Sequence, residues 1–261
     1  MDVTIVDMKL ISWNVNGLRA IYKKKYWKPF FTLNADIFCL QEIKASSEQL
    51  PEDILNPLGY HSFFASSVIK KGYSGVAIYS KEKPLEVKYG FDIEKFDNEG
   101  RLLEARFKNF ILFNVYFPNG GVDPNRLQYK LDFYDTFLNY IEKLRKKGQK
   151  IIFCGDINTA HEEIDLARPK SNEQHTGFLP VERAWIDEVI NHGYVDTFRH
   201  FYPRKTEAYS YWDIKTRARD RNVGWRLDYF FISNNLLSQV KKASILSNIY
   251  GSDHCPIMLE L

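Results

Sequence analysis

Cysteine is scarce in this sequence, and long apolar runs are missing. The 261 residues include three cysteines, each beside an apolar residue, at Cys39, Cys154 and Cys255. An odd, scattered set of this kind fits buried thiols in a reducing compartment better than a disulfide framework or a zinc site. No run of about 18 apolar residues occurs, and charges interrupt the first residues, so we expect neither a membrane span nor a secretory leader. These absences predict an intracellular protein, in the cytoplasm or nucleoid, or in the nucleus if the organism is eukaryotic.

The sequence also lacks internal repeats, low-complexity tracts and any linker rich in glycine, serine or proline. Its length and its 44% content of apolar residues lie within the range of one large globular domain. We therefore predict a single domain over residues 1–261, and a monomer.

Net charge is small, at +3, but the charges are unevenly distributed. Residues 199–226 contain eight Lys or Arg against three acids, together with six aromatic residues. Such a mixture is expected where a surface neutralises phosphates and stacks on bases, and Trp212, Lys215 and Arg217 lie within it. A basic face that is simply solvated is the alternative.

Short apolar or alternating runs bounded by polar residues predict a series of strands. They lie at Lys9–Val15, Asp36–Gln41, Gly75–Ser80, Leu102–Phe107, Phe110–Phe117, Lys150–Cys154, Arg226–Ser233 and Cys255–Leu261. Apolar residues at three- and four-residue steps predict helices over Asp123–Lys147 and Pro180–His192. Strands mixed with helices, in hairpins as well as crossovers, indicate an α/β layered sandwich.

Polar side chains stand where these apolar runs give way to loops. Six separate segments supply them: Asn14 and Asn16; Glu42; Tyr116 and Asn119; Asp156 and Asn158; Asp228; and finally Asp253 and His254. Any one such residue is ordinary, since every strand must surface somewhere. Taken together, the carboxylates, amides, phenol and imidazole predict one site.

The oxygen donors in this set predict a magnesium site. Glu42, Asp253, Asn14 and Asn16 offer hard oxygen ligands, which suit a magnesium ion that keeps waters and borrows a substrate phosphate. Zinc would want more histidine and thiolate, whereas manganese would be an acceptable substitute. A magnesium site in turn indicates phosphoryl chemistry.

Two further pairs suit the proton transfers of such chemistry. Asp156 and Asn158, two residues apart, are predicted to deprotonate and orient a water. Asp253 and His254 are adjacent and in a strand would face opposite ways, so each needs a remote partner. Asp228 is the best candidate to hold His254 in its protonated form against a phosphate oxygen. A surface aspartate beside a capping histidine is the alternative.

Eight segments, in order along almost the whole chain, resemble the exonuclease III type of AP endonuclease. They are SWNVNGLRA (Ser12–Ala20), LQEIK (Leu40–Lys44), YFPNG (Tyr116–Gly120), CGDINTAH (Cys154–His161), EIDLARPK (Glu163–Lys170), GFLPVERAW (Gly177–Trp185), NVGWRLDYFFIS (Asn222–Ser233) and GSDHCPI (Gly251–Ile257). The resemblance implies the DNase I-like fold, a four-layered α/β sandwich of two packed mixed β-sheets flanked by helices. It also implies an active site at one edge, where loops converge.

The resemblance further implies an activity and a set of roles. The expected reaction is magnesium-dependent hydrolysis of the phosphodiester 5′ to an abasic site in double-stranded DNA, leaving a 3′-hydroxyl and a 5′-deoxyribose phosphate. A secondary 3′ to 5′ exonuclease or 3′-end-cleaning activity would accompany it. On the metal side, the resemblance implies that Glu42 binds the ion, assisted by Asn14, Asn16 and Asp253. It implies that Asp156 activates water with Asn158, and that His254, held by Asp228, contacts the phosphate in a pocket shared with Tyr116 and Asn119. It also implies that an apolar pocket for the abasic sugar is formed by Tyr211, Trp225 and Leu227.

Three positions depart from the pattern of some family members. Asn16 is a neutral amide where some members have an aspartate. Val122 stands where some have an arginine that enters the DNA stack, and Lys215 lies where some have an apolar wedge. These differences bear on metal affinity and on the grip on bent DNA.

Two rival functions are open from the sequence. One is another phosphoesterase of the same fold, acting on inositol phosphates or sphingomyelin, although the basic and aromatic segment favours DNA over a lipid headgroup. The other is a DNA-binding module without catalytic activity. Against it, the chain carries the complete set Glu42, Asp156, Asn158, Asp228 and His254.

Overall fold

Twelve strands within residues 7–261, the part of the chain described by this computed structural model, build two mixed sheets. In chain order they are β1 (Lys9–Asn14), β2 (Ile37–Gln41), β3 (His61–Ala65), β4 (Val76–Ser80), β5 (Glu86–Tyr89), β6 (Leu102–Arg106), β7 (Ile111–Tyr116), β8 (Ile151–Asp156), β9 (Tyr194–Asp196), β10 (Asp228–Ser233), β11 (Lys242–Ile245) and β12 (Ile257–Glu260). The first sheet has the order β11-β12-β1-β2-β4-β3 and the second β5-β6-β7-β8-β10-β9. Only β1 with β2 and β7 with β8 pair in parallel among these strands.

Seven α-helices within the same residues connect and cover the sheets. They are α1 (Leu18–Lys23), α2 (Trp27–Phe31), α3 (Glu52–Leu55), α4 (Glu94–Asp97), α5 (Pro124–Arg145), α6 (Pro180–Asn191) and α7 (Thr197–Phe201). The long α5 begins where the sequence predicts: the Asp123 side chain accepts a hydrogen bond from the Asn125 N–H, and Pro124 takes the first helical position. None of these helices is long and apolar enough to cross a membrane.

Strand β8 shows why its residues form a doubly buried strand. Ile151 and Phe153 pack against the helical layer, whereas Ile152 and Cys154 face the other sheet. Side chains alternate between the two faces of a sheet, so a strand covered on both sides must be apolar throughout. The same alternation in β2 sends Cys39 between the sheets and Phe38 towards α2.

The core therefore has three parts that separate four layers. One apolar cluster lies between the sheets, a second packs the first sheet against α1, α2 and α3, and a third packs the second sheet against α5 and α6. The predicted four-layered α/β sandwich is confirmed.

A small polar contact joins the two sheets directly beneath the strand ends. Gln41 donates through Nε2 to Ser12 Oγ at 2.9 Å and to Asn114 Oδ1 at 2.7 Å. Asn114 in turn donates to the Ala77 carbonyl at 2.8 Å. All four residues are fully buried, so these bonds fix the position of β2 just before Glu42.

All eight predicted strands are present, with shifted ends, but four further strands were not predicted from the apolar and alternating runs. The strands β3, β5, β9 and β11 were not predicted, since they are short or have mixed polarity. The stretch predicted from Arg226 begins only at Asp228, and the last strand begins at Ile257 rather than Cys255.

Candidate active site

The polar residues predicted at the strand ends meet in one cleft of about 480 Å³. The polar residues that line it are Asn16, Glu42, Tyr116, Asn119, Asp156, Asn158, Asp253 and His254. The predicted pocket residues Tyr211, Trp225 and Leu227 line it too. Asn14 and Asp228 are buried and bind lining residues. The parallel pairs explain the convergence: β1 and β2 end side by side, as do β7 and β8, where Tyr116 lies opposite Asp156.

Asp228 and His254 are brought together, although not from the strand ends that the sequence suggested. Asp228 is the first residue of β10, and it reaches the cleft because β10 runs antiparallel to β8, with Asp228 opposite Asp156. His254 lies in the loop before β12. A 2.8 Å hydrogen bond joins His254 Nδ1 to Asp228 Oδ2 and leaves Nε2 only 3.8 Å from Asp156 Oδ2.

Asp156 is held by the residues that follow it. The Asn158 backbone N–H donates to Asp156 Oδ1 at 2.8 Å, and the Asn158 side-chain amide lies 3.3 Å from Oδ2. The same amide donates to the Phe117 carbonyl, while its oxygen accepts a bond of 3.1 Å from Asn119 Nδ2. Asp156 and Asn158 thus act as one rigid unit.

The residues predicted to bind the metal lie together, and Asn14 also links two carboxylates of the site. Its Nδ2 donates to Glu42 Oε1 and to Asp156 Oδ2, both at 2.8 Å. Its oxygen accepts the Asn16 N–H at 3.0 Å. Asn14 therefore orients two carboxylates, and its part in metal binding stays a prediction. Asn16 donates to Asp253 Oδ2 at 2.9 Å.

Lys44 is a member of the site that the sequence analysis missed. Its ammonium lies 2.7 Å from Glu42 Oε2 and also bonds to Asn16 Oδ1. Lys44 lies two residues after Glu42, within the segment Leu40–Lys44 that carries part of the family resemblance. A cation thus already sits where two of the predicted oxygen ligands converge.

Several residues of this site adopt left-handed backbone conformations. Asn16, Glu42, Lys44 and Asn158 have φ of 45°, 50°, 50° and 57°. Such conformations are unfavourable for residues other than glycine and persist only where surrounding bonds enforce them. The Gly17 N–H to Glu42 carbonyl bond of 2.8 Å is one of these. The chain here is shaped by the site, not by local preference.

The two central ionisable groups have strongly shifted pKa values. Burial raises the pKa of Asp156 to about 7; the His254 charge opposes this shift, while Asp228 and Glu42 add to it. For His254, burial alone would lower the pKa, but the neighbouring Asp228 and Asp156 carboxylates raise it to about 10. Near neutral pH the imidazole is therefore protonated, and Asp156 is close to its titration midpoint.

The pKa values of Glu42 and Tyr116 are shifted in opposite directions. Burial acts to raise the pKa of Glu42, yet Lys44 and the Asn14 amide lower it below its ordinary value. Burial and the nearby Glu42 carboxylate hold the pKa of Tyr116 well above its ordinary value. Glu42 is thus a carboxylate and Tyr116 a neutral phenol near neutral pH.

An apolar wall closes one side of the cleft. Tyr211 and Trp225 pair through their backbones, and the Tyr211 ring centroid lies 4.9 Å from that of His254. Leu227 packs beneath them with Phe178. Sequence analysis missed Thr176 and Gly177, which also line the cleft. Gly177 has a φ of 94°, a backbone conformation that glycine adopts without strain.

Three residues predicted to contact DNA from the basic and aromatic segment lie outside this pocket. Trp212 is buried with Tyr209 and Ala218, and its indole N–H donates to Asn222. Side chains alternate along Tyr211–Trp212, so one faces the cleft and the other faces away. Lys215 and Arg217 are exposed on the following loop and are not among the lining residues. A direct DNA contact by these two remains a prediction.

The donor set fits a hard divalent cation. Glu42, Asp156 and His254 offer ligand atoms within 4.8 Å of one another, which makes an acidic cluster that could hold a metal ion. The Lys44 ammonium between Glu42 and Asn16 shows that these oxygens accept positive charge. Oxygen donors outnumber nitrogen donors, and no thiol lines the cleft, as expected for magnesium or manganese rather than zinc.

Comparison with known proteins agrees with this geometry. The sequence profile of the endonuclease/exonuclease/phosphatase family matches residues 11–254. An exodeoxyribonuclease of Bacillus subtilis is 45% identical over 253 residues, which cover 97% of this chain and 98% of that protein. DNA repair nuclease APEX1 of Danio rerio is 42% identical over 261 residues, 100% of this chain and 84% of that protein.

A solved structure shows the same architecture. The AP endonuclease from Archaeoglobus fulgidus superposes with a TM-score of 0.87 at 30% identity, covering 97% of this chain and 98% of that chain. The resemblance inferred from eight sequence segments is confirmed over nearly the full length.

Proposed function

Because the chain belongs to the endonuclease/exonuclease/phosphatase family, we propose that it is a magnesium-dependent DNA-repair nuclease that cuts the phosphodiester 5′ to an abasic site in duplex DNA. The products are a 3′-hydroxyl and a 5′-deoxyribose phosphate. The relatives in Bacillus subtilis and Danio rerio are named as nucleases, which supports a hydrolase acting on DNA. We further propose that the protein is an intracellular monomer with a single domain.

One observation carries the proposal. A protonated imidazole and a carboxylate of raised pKa face each other across 3.8 Å, between His254 Nε2 and Asp156 Oδ2. Hydrolysis of a phosphodiester needs a base for the water and positive charge for the phosphate oxygens. Asp156 would supply the base and His254 the positive charge, and both line one cleft.

Asp156 is the proposed base. Its pKa of about 7 lies near the working pH, where a general base combines a sizeable deprotonated fraction with useful basicity. Asn158 and Asn14 fix both carboxylate oxygens, so the water that Asp156 deprotonates has one defined approach. Asn119 holds the Asn158 amide and keeps this orientation.

His254 is the proposed contact to the scissile phosphate. Asp228 keeps the imidazole protonated and fixes the ring through Nδ1, so that Nε2–H points into the cleft. Charge that grows on the phosphate oxygens during reaction is stabilised there. The neutral Tyr116 phenol lines the same cleft and is a second candidate donor.

The proposed metal site is Glu42, assisted by Asn14, Asn16 and Asp253. Bound magnesium, or manganese in its place, would act as a Lewis acid that neutralises charge on the phosphate and the leaving oxygen. The Lys44 ammonium contacts the Glu42 and Asn16 oxygens. It would have to leave any of these oxygens that binds the ion.

Selectivity for abasic sites would come from the apolar wall. Tyr211, Trp225 and Leu227 enclose a space suited to a sugar without its base. Extrusion of such a sugar costs least because no base has to be unstacked. An intact nucleotide would have to bring its base past this wall.

The test is cleavage of an end-labelled duplex that contains one tetrahydrofuran abasic analogue, run on a denaturing gel with magnesium or with EDTA. The expected result is a single magnesium-dependent cut immediately 5′ to the lesion, and an intact control duplex without the lesion. If the duplex were bound but not cut, the protein would be a binding module. With neither binding nor cutting, phosphorylated small molecules or lipids would become the substrates to examine.

A 3′ to 5′ exonuclease activity is a second proposal, favoured by the Bacillus subtilis exodeoxyribonuclease. A duplex with a recessed, 3′-labelled end is incubated under the same conditions. Release of labelled mononucleotides is expected, at a lower rate than the cut at the abasic site. Complete absence of release would contradict this activity while leaving the endonuclease proposal intact.

A further inference from the structure

A buried ion pair lies directly behind the cleft. Lys130 of α5 and Glu182 of α6 are both completely inaccessible to solvent, and Lys130 Nζ lies 2.6 Å from Glu182 Oε1. Neither residue lines the cleft. Burying two charges is expensive, so a pair of this kind is weak evidence for stability and needs another explanation.

Lys130 reaches the backbone of the water-activating unit. Its ammonium donates to the Asn158 carbonyl at 2.8 Å and to Thr159 Oγ1 at 2.9 Å, which with Glu182 uses all three of its N–H donors. Asn158 is the residue with a left-handed φ of 57° whose N–H holds Asp156. The lysine therefore fixes the peptide that follows Asn158.

Glu182 reaches the opposite wall. It accepts hydrogen bonds from Thr176 Oγ1 at 2.8 Å, from the Gly177 N–H at 2.6 Å and from the Leu179 N–H at 3.0 Å. Thr176 and Gly177 line the cleft beside Trp225. One carboxylate thus holds the loop that shapes the sugar pocket.

Unlike an apolar contact, this ion pair forms hydrogen bonds to particular backbone groups. Two apolar side chains of similar size would join α5 to α6 without the cost of desolvating charges. They would form no bond to the Asn158 carbonyl or to the Gly177 N–H. A backbone bond of 2.8 Å from the Ala160 N–H to the Gly177 carbonyl already joins the loop after β8 to the loop before α6. The pair adds a second link, which ends on Asn158 and on Glu182's three partners.

We propose that Lys130 and Glu182 are positioning residues that keep the Asp156–Asn158 unit in register with the Thr176–Gly177 wall. This inference rests on the proposed function, since it concerns the geometry of that reaction. Displacements of about 1 Å at a reacting group are enough to cost about 100-fold in rate. The pair acts through Asn158 and Gly177 and touches no substrate itself.

The test uses the double variant K130M/E182Q. Methionine and glutamine keep the volume and leave no unpaired charge, and the glutamine oxygen still accepts the Gly177 and Leu179 N–H groups. The bonds to Asn158 and Thr159 are lost. The expected result is a kcat for abasic-site cleavage reduced about 10- to 100-fold, with a much smaller change in KM and in the Kd for the uncut duplex measured in EDTA.

E104Q is the matched control. Glu104 is also fully buried, and it bonds to Arg106 and to the Tyr140 hydroxyl, but it lies on β6 away from the cleft. Whatever the two variants do to thermal stability, only K130M/E182Q should lose kcat. A double variant with wild-type kcat, or a control with an equal loss of kcat, would overturn the positioning role.

Amide hydrogen exchange gives a readout that does not depend on catalysis. Peptides covering residues 157–160, which include the Ala160 N–H bonded to the Gly177 carbonyl, should exchange faster in K130M/E182Q than in the wild type. Residues 176–179 should change less because the glutamine keeps its bonds there, and E104Q should leave both segments unchanged. Unchanged exchange in the double variant would contradict the inference. If the wild-type protein itself failed to cut, the proposed function would be lost, and the exchange data would still decide whether the pair holds the two walls.

Discussion

Two buried aspartates of this protein have opposite electrostatic environments. Asp165 is bonded by both Arg226 and Arg199, and although burial opposes them, these guanidinium groups lower its pKa to about 2. Asp156 is equally buried, but its bonds come from neutral amides, and its pKa is raised to about 7. Identical side chains thus serve as a permanent anion in one place and as a titrating group in the other.

The difference lies in the balance of charge. Around Asp165, two carboxylates face two guanidinium groups: Asp165, Asp196, Arg199 and Arg226. In the cleft and directly beneath it, carboxylates outnumber cations. The carboxylates are Glu42, Asp156, Asp213, Asp228 and Asp253, and the cations are Lys44 and the protonated His254. The first group is complete on its own. The second has more carboxylates than cations, as expected of a site that attracts a metal cation.

The largest expected effect comes from removing the charge of Asp156. D156N should lower kcat by about 100- to 10,000-fold, because the base for the water is lost. Its stability should fall less than that of D165N. The asparagine NH2 group faces an N–H donor, which costs stability. The folded-state pKa of Asp156, about 7, lies above the unfolded value, however, so at pH 8 the wild-type carboxylate no longer contributes to stability. Steady-state cleavage and urea unfolding at pH 8 measure the two effects.

The comparison would fail for Asp156 if D156N unfolded much more easily than the wild type at pH 8. Such a result would place this carboxylate among the structural anions. A variant that kept wild-type kcat would remove Asp156 from the proposed chemistry.

The second effect concerns Asp165, and it should appear in stability. D165N leaves the fully buried Arg226 with only Asp196 as an ionic partner, so the free energy of unfolding should fall by about 3–5 kcal/mol. Urea unfolding followed by tryptophan fluorescence measures this loss. The exposed pair of Arg217 and Asp220 supplies the control, since D220N should change stability by no more than about 0.5 kcal/mol. Equal effects of the two variants would contradict the role given to burial.

The smallest effect is a change in pH dependence. Cleavage needs ionised Asp156 and protonated His254, so kcat/KM should rise up to about pH 7 and fall above about pH 10. In D228N the carboxylate that keeps His254 charged is gone, and the falling limb should move to lower pH. Rates measured from pH 5 to 10.5 in saturating metal show both limbs. An unmoved falling limb in D228N would mean that it reports another group.

Much of the site could be predicted because it stands at the ends of apolar strands. Glu42 follows β2 directly and Asp156 closes β8, so the change from apolar to polar residues marks both. Asp228 was found by its chemistry, but its position at the start of β10 depends on antiparallel pairing, which the sequence did not reveal.

Other features depend on the tertiary structure. Lys44 and Glu42 meet because both adopt left-handed conformations that their residue types do not favour. Trp212 looked like a DNA contact because its neighbours are basic, yet alternation along the chain buries it. Lys130 did carry a signal, since it lies on the apolar face of α5 with Tyr134 four residues on.

Strand β12 pairs with both β1 and β11, so the first and last strands described here are neighbours at the centre of a sheet. Contacts between such distant residues form late, because a long loop must close before they contribute. During synthesis, a growing polypeptide would carry its proposed base long before His254 and β12 have emerged. The proposed base and the proposed phosphate contact can therefore act together only once β12 has paired with β1 and His254, in the loop before β12, has reached the cleft.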